Sequence, residues 1–155
     1  MLIQNFIIKK INRGNSEFLN ELFRLFKTML ANNTILEKEK LSQWSYKNIV
    51  TVALRLKEFD WCELFIEDYK YKLNKEFRLE SYSFALANFF YSKKEYENAL
   101  PLLLNINYKD FLSIISAKIL QLKIFYELKE LDTLISNIEN FDKILTRKKS
   151  LSKEN

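Results

Sequence analysis

The densest set of reactive side chains in this sequence lies within nine residues: Asp60, Cys62, Glu63, Glu67 and Asp68. Glu63 and Glu67 stand one helical turn apart, a spacing at which two carboxylates on one helix face could share a cation. Hard-cation sites gather more oxygens in a rigid loop, and Lys70 follows Glu67 at a spacing of three. A solvated helix face with an internal ion pair is therefore the favoured reading, and no metal site is expected. Cys62 is the only cysteine, and the chain contains no histidine. The thiol thus lacks an imidazole partner for activation. The commonest general base and the commonest metal ligand are missing as well. A single glycine, Gly14, cannot furnish the loop that cradles phosphates or dinucleotides. We expect no catalytic residues, no cofactor and no enzymatic activity. Cys62 is expected to be a small buried residue, as free cysteines commonly are. The basic run Arg147, Lys148 and Lys149 reads as a fraying polar end.

Length and charge bound the partners. The chain has 155 residues, 48% hydrophobic and 15% aromatic, enough for one domain or a short solenoid with a real core. The formal charge of +5 is unevenly spread. Residues 1–48 carry eight basic and four acidic groups, residues 49–110 nine and ten, and residues 111–155 eight and six. No block resembles a nucleic-acid-binding arm. One cysteine suits a reducing compartment. The stretch Met1–Lys10 has no basic region ahead of its apolar run and no small-residue cleavage site, so it does not read as a signal peptide. No apolar run nears the ~20 residues that span a bilayer. The expectation is a soluble cytoplasmic protein without a membrane segment. The abundance of Lys, Asn, Ile, Leu and Phe suits an AT-rich bacterial genome.

The elements that must position these residues are helices. One glycine and one proline, Pro101, are too few turn residues for a β-rich fold. Apolar residues recur with helical period along nearly the whole chain. Phe18, Leu22, Leu25, Phe26 and Met29 form one stripe, with Asn15 and Ser16 as caps before it. Residues 32–40 read as a connection. Tyr46, Ile49, Val50, Ala53 and Leu54 form the next stripe, followed by Trp61, Leu64, Phe65 and Tyr69. Tyr82, Ala85, Leu86, Phe89 and Phe90 mark another, and a helix follows Glu95. The last two carry Phe111, Ile114, Ile115, Ile119, Leu122 and Phe125, then Leu131, Leu134, Ile135, Ile138, Phe141 and Leu145. Pro101 is expected to kink the helix after Glu95, removing a bond to the Glu97 carbonyl at a cost of ~3 kcal/mol. The competing expectation starts a new helix at Pro101.

Three stretches repeat one hairpin pattern. Two of them place an aromatic three positions before a small residue, Phe59 and Cys62, then Tyr96 and Ala99; the third has Leu131 and Leu134 there, a departure from the pair. The spacings are 37 residues from Phe59 to Tyr96 and 35 from Tyr96 to Leu131. The pattern resembles the tetratricopeptide repeat, whose period is about 34 residues. The family's first-helix tryptophan is replaced by Tyr46, Ser83 and Lys118, and its glycine by Val50, Ala87 and Leu122. The stretch Asn48–Trp61 also resembles a group of uncharacterised bacterial repeat proteins. The resemblance implies an all-α fold, a TPR-like α-solenoid of antiparallel helical hairpins with about seven or eight helices. It implies one repeat domain over residues 1–146, with the best repeats in 43–146 and a polar tail at 147–155. It also implies a still weaker hairpin before residue 43, with Gly14 at its turn.

The resemblance also implies a function and a surface. Repeats of this kind stack, bury a shared core and leave a concave face. Family positions for that face fall on Lys47, Thr51, Arg55, Phe84, Asn88, Tyr91, Lys123 and Tyr126. Of the family's five basic positions for clamping a C-terminal carboxylate only Lys47 is basic, with Thr51, Ala85, Ser116 and Leu120 at the others. The expected role is a non-enzymatic scaffold that binds a protein or peptide. The alternatives are single-stranded nucleic-acid binding through a basic aromatic groove, or a truncated or self-assembling repeat fragment. The last arises because the apolar period runs to Leu145 with no polar capping helix after it, which points to self-association through the C-terminal helix.

Overall fold

A computed structural model describes residues 17–104, 106 and 108–151, with side chains as far as Arg147. The expected caps Asn15 and Ser16, the turn at Gly14, and Lys148 and Lys149 of the basic run lie outside what is described at side-chain level. The described chain is all-α: α1 (Phe18–Ala31), α2 (Gln43–Arg55), α3 (Phe59–Tyr69), α4 (Lys75–Ser92), α5 (Tyr96–Ala99), α6 (Pro101–Leu104), α7 (Phe111–Glu127) and α8 (Leu131–Leu151). A 3-10 turn, Lys70–Lys72, follows α3. The only β-type pairing among the described residues is one isolated bridge between Glu37 and Lys40, closed by Lys38 and Glu39 at φ 49° and 62°.

Local chemistry sets the helix ends. Ser42 caps α2 by accepting from the Ser45 N–H at 3.0 Å, and Asp110 caps α7 by accepting from the Ser113 N–H at 2.9 Å. Four helices end in the same left-handed turn. Lys57, Lys94 and Lys129 have φ of 60°, 63° and 60°, and Asn33 has 54°. In each the next amide reaches back five residues: Thr34 to Met29, Glu58 to Ala53, Glu95 to Phe90 and Glu130 to Phe125. The left-handed residue itself bonds three back, so every one is a Schellman closure that satisfies the last helical carbonyls. Glycine is the usual occupant of that position, and this chain uses lysine three times. The lysines recur at 37 and 35 residues, the interval of the sequence repeat.

Two apolar cores sit side by side. The larger gathers Leu22, Phe26, Tyr46, Ile49, Ile66 and Phe89 from α1 to α4. The smaller joins Ala87 and Ala99 to Leu103, Ala117, Leu120 and Ile124. Phe90 packs against both. The two small residues of the repeat pattern, Cys62 and Ala99, are fully buried, and their opening aromatics pack on α4. Phe59 meets Phe89 at 6.3 Å and Tyr96 meets Tyr91 at 5.6 Å between ring centroids. Tyr46, at the family's tryptophan position, is fully buried and donates to the Ile66 carbonyl of α3 at 2.9 Å, a bond worth about 1 kcal/mol net. On α3 the rings of Trp61, Phe65 and Tyr69 stack in a row, 5.3 and 4.8 Å apart.

Three expectations change. Leu64 and Ile119 are exposed rather than in the core stripe. Both lie on helices apolar on more than one face, where periodicity does not choose the inward side. The helix after Glu95 is not a single kinked rod. It divides into α5 and α6, with Leu100 at helical angles between them and Pro101 opening α6, the first-turn position that tolerates its missing N–H. Finally, α8 lies against α7, but none of its described side chains joins either core. Its Leu131, Ile135, Ile138 and Leu145 face solvent.

Candidate functional site

A cleft opens where α2, α4 and the start of α7 converge. It is lined on α2 by Trp44, Lys47 and Thr51, and on α4 by Glu80, Phe84 and Asn88. Tyr108 and Ser116 close the far side. The exposed residues Trp44 and Thr51 form its rim. The cavity within measures about 30 Å³, room for one or two water-sized groups.

Half of the sequence-derived surface set meets here: Lys47, Thr51, Phe84 and Asn88 all line the cleft. The Lys47 ammonium donates to Ser116 Oγ at 2.8 Å and sits 4.8 Å from the centre of the Phe84 ring. That contact ties α2 to α7 across 69 residues of sequence. Burial pulls the Lys47 pKa below its ordinary value, and the Asp110 carboxylate works against that pull. Thr51 donates to the Lys47 carbonyl at 2.8 Å, and Asn88 donates to the Phe84 carbonyl at 2.8 Å. Both side chains thereby hold to their own helix. The other four residues of the set lie elsewhere. Arg55 is exposed at the end of α2, Lys123 and Tyr126 are exposed on α7, and Tyr91 is half-buried against Tyr96.

Sequence reasoning missed the most unusual member. Glu80 is 5% exposed and its Oε2 accepts from the Lys109 backbone N–H at 3.0 Å. Its Oε1 is buried with no hydrogen-bond partner among the described residues. Two more cleft atoms share that condition, Gln43 Oε1 and the Tyr108 hydroxyl. Each unpaired buried polar atom costs about 1–3 kcal/mol. Burial and the neighbouring Glu80 carboxylate push the Tyr108 pKa up, so its phenol stays protonated. A signal for Glu80 did exist. It lies three residues after Phe77 and four before Phe84, on the inward stripe of α4. Tyr108 precedes α7 outside any helix and carries no periodic signal.

The charges around the cleft otherwise pair. Burial opposes ionisation of Asp110, but bonds from the Ser113 side chain, the Ser113 and Leu112 backbone and the nearby Lys47 charge hold its pKa below the ordinary value. The Lys109 ammonium lies 3.3 Å from Glu76. Away from the cleft, Glu67 accepts from Lys70 at 2.6 Å and from Tyr82 at 2.7 Å. This is the ion pair anticipated at the acidic stretch, and the two bonds hold the Glu67 pKa down. Cys62 has its thiol pushed up to about 12, by burial first and the Glu63 charge second. Comparison with known protein families, curated proteins and solved structures finds no match for this chain.

Proposed function

We propose that this chain is a non-enzymatic, cytoplasmic scaffold of the TPR-like type. Its helical hairpins stack as a short solenoid, and a protein or peptide segment docks along the face that contains the α2–α4–α7 cleft. One observation carries the reading: residues assigned to a binding face from repeat register alone, Lys47, Thr51, Phe84 and Asn88, line a single cleft. The recurrent lysine turns at 37 and 35 residues support the repeat itself. An aromatic floor with polar groups at defined points is the usual anatomy of a recognition site.

The nucleic-acid alternative has less support. A strand-binding groove tracks phosphates with a continuous run of basic side chains, whereas this cleft sets Lys47 beside Glu80. Self-association draws on the solvent-facing apolar stripe of α8 and would add to the scaffold role rather than replace it.

The test is affinity purification of the tagged chain from its native cells, wild type beside Thr51→Arg. Thr51 is exposed at the cleft rim, so arginine there blocks entry without disturbing the core. The expected result is a stoichiometric protein partner that the variant loses while its circular dichroism is unchanged. A partner retained equally by both proteins, or a purified monomer that turns over a substrate, contradicts the reading.

A further inference from the structure

We infer that the α2–α4–α7 cleft binds a primary ammonium group, held by the Glu80 carboxylate with Gln43 Oε1 and the Tyr108 hydroxyl oxygen. The observation behind this is a buried carboxyl group with no cationic partner among the described residues. Glu80 is 95% removed from solvent, being 5% exposed, and one of its oxygens has no partner among the described residues. A buried carboxylate is tolerated when a cation or a full set of donors satisfies it. Glu80 receives one backbone N–H, from Lys109, and no ion pair among the described residues.

The neighbouring cations are engaged elsewhere. Lys47 donates to Ser116, lies over the Phe84 ring and is faced by Asp110. The Lys109 ammonium is held by Glu76. What remains in the cleft is a set of three acceptor positions, one of them anionic. An ammonium head offers three donors and no acceptor, which matches that set in number and sign. Size agrees: about 30 Å³ admits a water-sized head, while the planar guanidinium fork with its five donors is larger. The Trp44 ring at the rim and the Phe84 ring in the wall suit the alkyl stem and the cation.

Two sources supply this chemistry, a peptide lysine and a free small amine. The peptide source rests on the scaffold reading above; the ammonium site itself does not. Titration with ethylammonium chloride, followed by amide NMR on the full chain, tests the site directly. The expected result is saturable shifts at residues 43, 47, 80 and 109, absent with tetramethylammonium, which has no N–H donor. Glu80→Gln keeps an acceptor for the Lys109 amide and should weaken binding about 10-fold or more. Tyr108→Phe, which removes one acceptor and leaves Glu80 in place, serves as the second variant and should weaken binding about 3-fold or more.

Non-saturating shifts, equal response to tetramethylammonium, or unchanged affinity in Glu80→Gln with its fold intact overturn the inference and leave the cleft to water. Competition by Nα-acetyl-lysine amide, but not by its Nζ-acetylated form, assigns the source to a peptide lysine. Binding of ethylammonium without that competition assigns it to a free amine. Should ethylammonium bind while no protein partner is found, the site stands and the scaffold reading falls. The reverse outcome separates them the other way.

Discussion

Replacing the lysines at the three recurrent turns with glycine should stabilise this protein. Lys57, Lys94 and Lys129 hold φ of 60°, 63° and 60°, where the Cβ of an L-residue crowds the following carbonyl at ~1–2 kcal/mol. Glycine removes that crowding but loses more chain freedom on folding, about 0.5–1 kcal/mol. The difference leaves each substitution stabilising by about 0.5–1 kcal/mol. All three lysines are exposed, so no buried packing is lost. They sit in separate turns, and their effects should add, giving ~1.5–3 kcal/mol for the triple variant. At roughly 2–4 °C per kcal/mol for a chain of this size, Tm rises by about 3–12 °C. Urea unfolding and a thermal melt read both quantities. Asn32→Gly is the control: Asn32 is exposed with φ −94°, so glycine there brings only the entropic loss and destabilises by about 0.5–1 kcal/mol. If the lysine variants lose stability like the control, the left-handed closures are not where the structure puts them, and the turn-based repeat fails.

Further outcomes follow from single contacts. Gln121→Leu removes the buried donor that meets the Leu103 carbonyl at 3.1 Å and should cost about 1–3 kcal/mol in urea unfolding. Pro101 opens α6, where its missing N–H is tolerated, so Pro101→Ala should be neutral or destabilise by up to ~1 kcal/mol in urea unfolding; a gain of about 3 kcal/mol would contradict the division into α5 and α6. Cys62 titrates near 12 in the fold against an ordinary 9.0. The folded thiol keeps a proton that the unfolded chain releases, so its contribution is complete below pH 9 and fades as pH rises toward 12. Wild type should therefore lose stability more steeply than Cys62→Ala across that window. Ile138→Lys on the solvent-facing side of α8 (49% exposed) should shift stability by no more than ~0.5 kcal/mol. Any self-association through that helix should fall with it in light scattering.

The all-helical class was legible in the sequence because one glycine and one proline leave no turns for sheets, and because the apolar period holds almost throughout. The hairpin interval was legible through Cys62 and Ala99, whose small size is dictated by close helix approach, and both are fully buried. The inward side of α7 was less legible. Ile119 continues the apolar period but faces water, while the polar Gln121 is buried beside Ala117, Ile124 and Phe125. Residues 117, 121, 124 and 125 do share one helical face, but a stripe traced through apolar residues alone passes over Gln121. The cleft was half legible. Lys47, Thr51, Phe84 and Asn88 sit on helix faces set by register, whereas Tyr108 and the Lys109 amide reach Glu80 only through tertiary packing.

The claim at the centre of this account is that a partner enters the α2–α4–α7 cleft. Photo-crosslinking in native cells tests it most directly, with a benzoylphenylalanine placed in turn at positions 51 and 88 in the cleft and at positions 24 and 143 outside it. The account predicts one discrete protein adduct from the cleft positions and none from the other two. Adducts that form equally from all four positions, or from 24 and 143 alone, would contradict it.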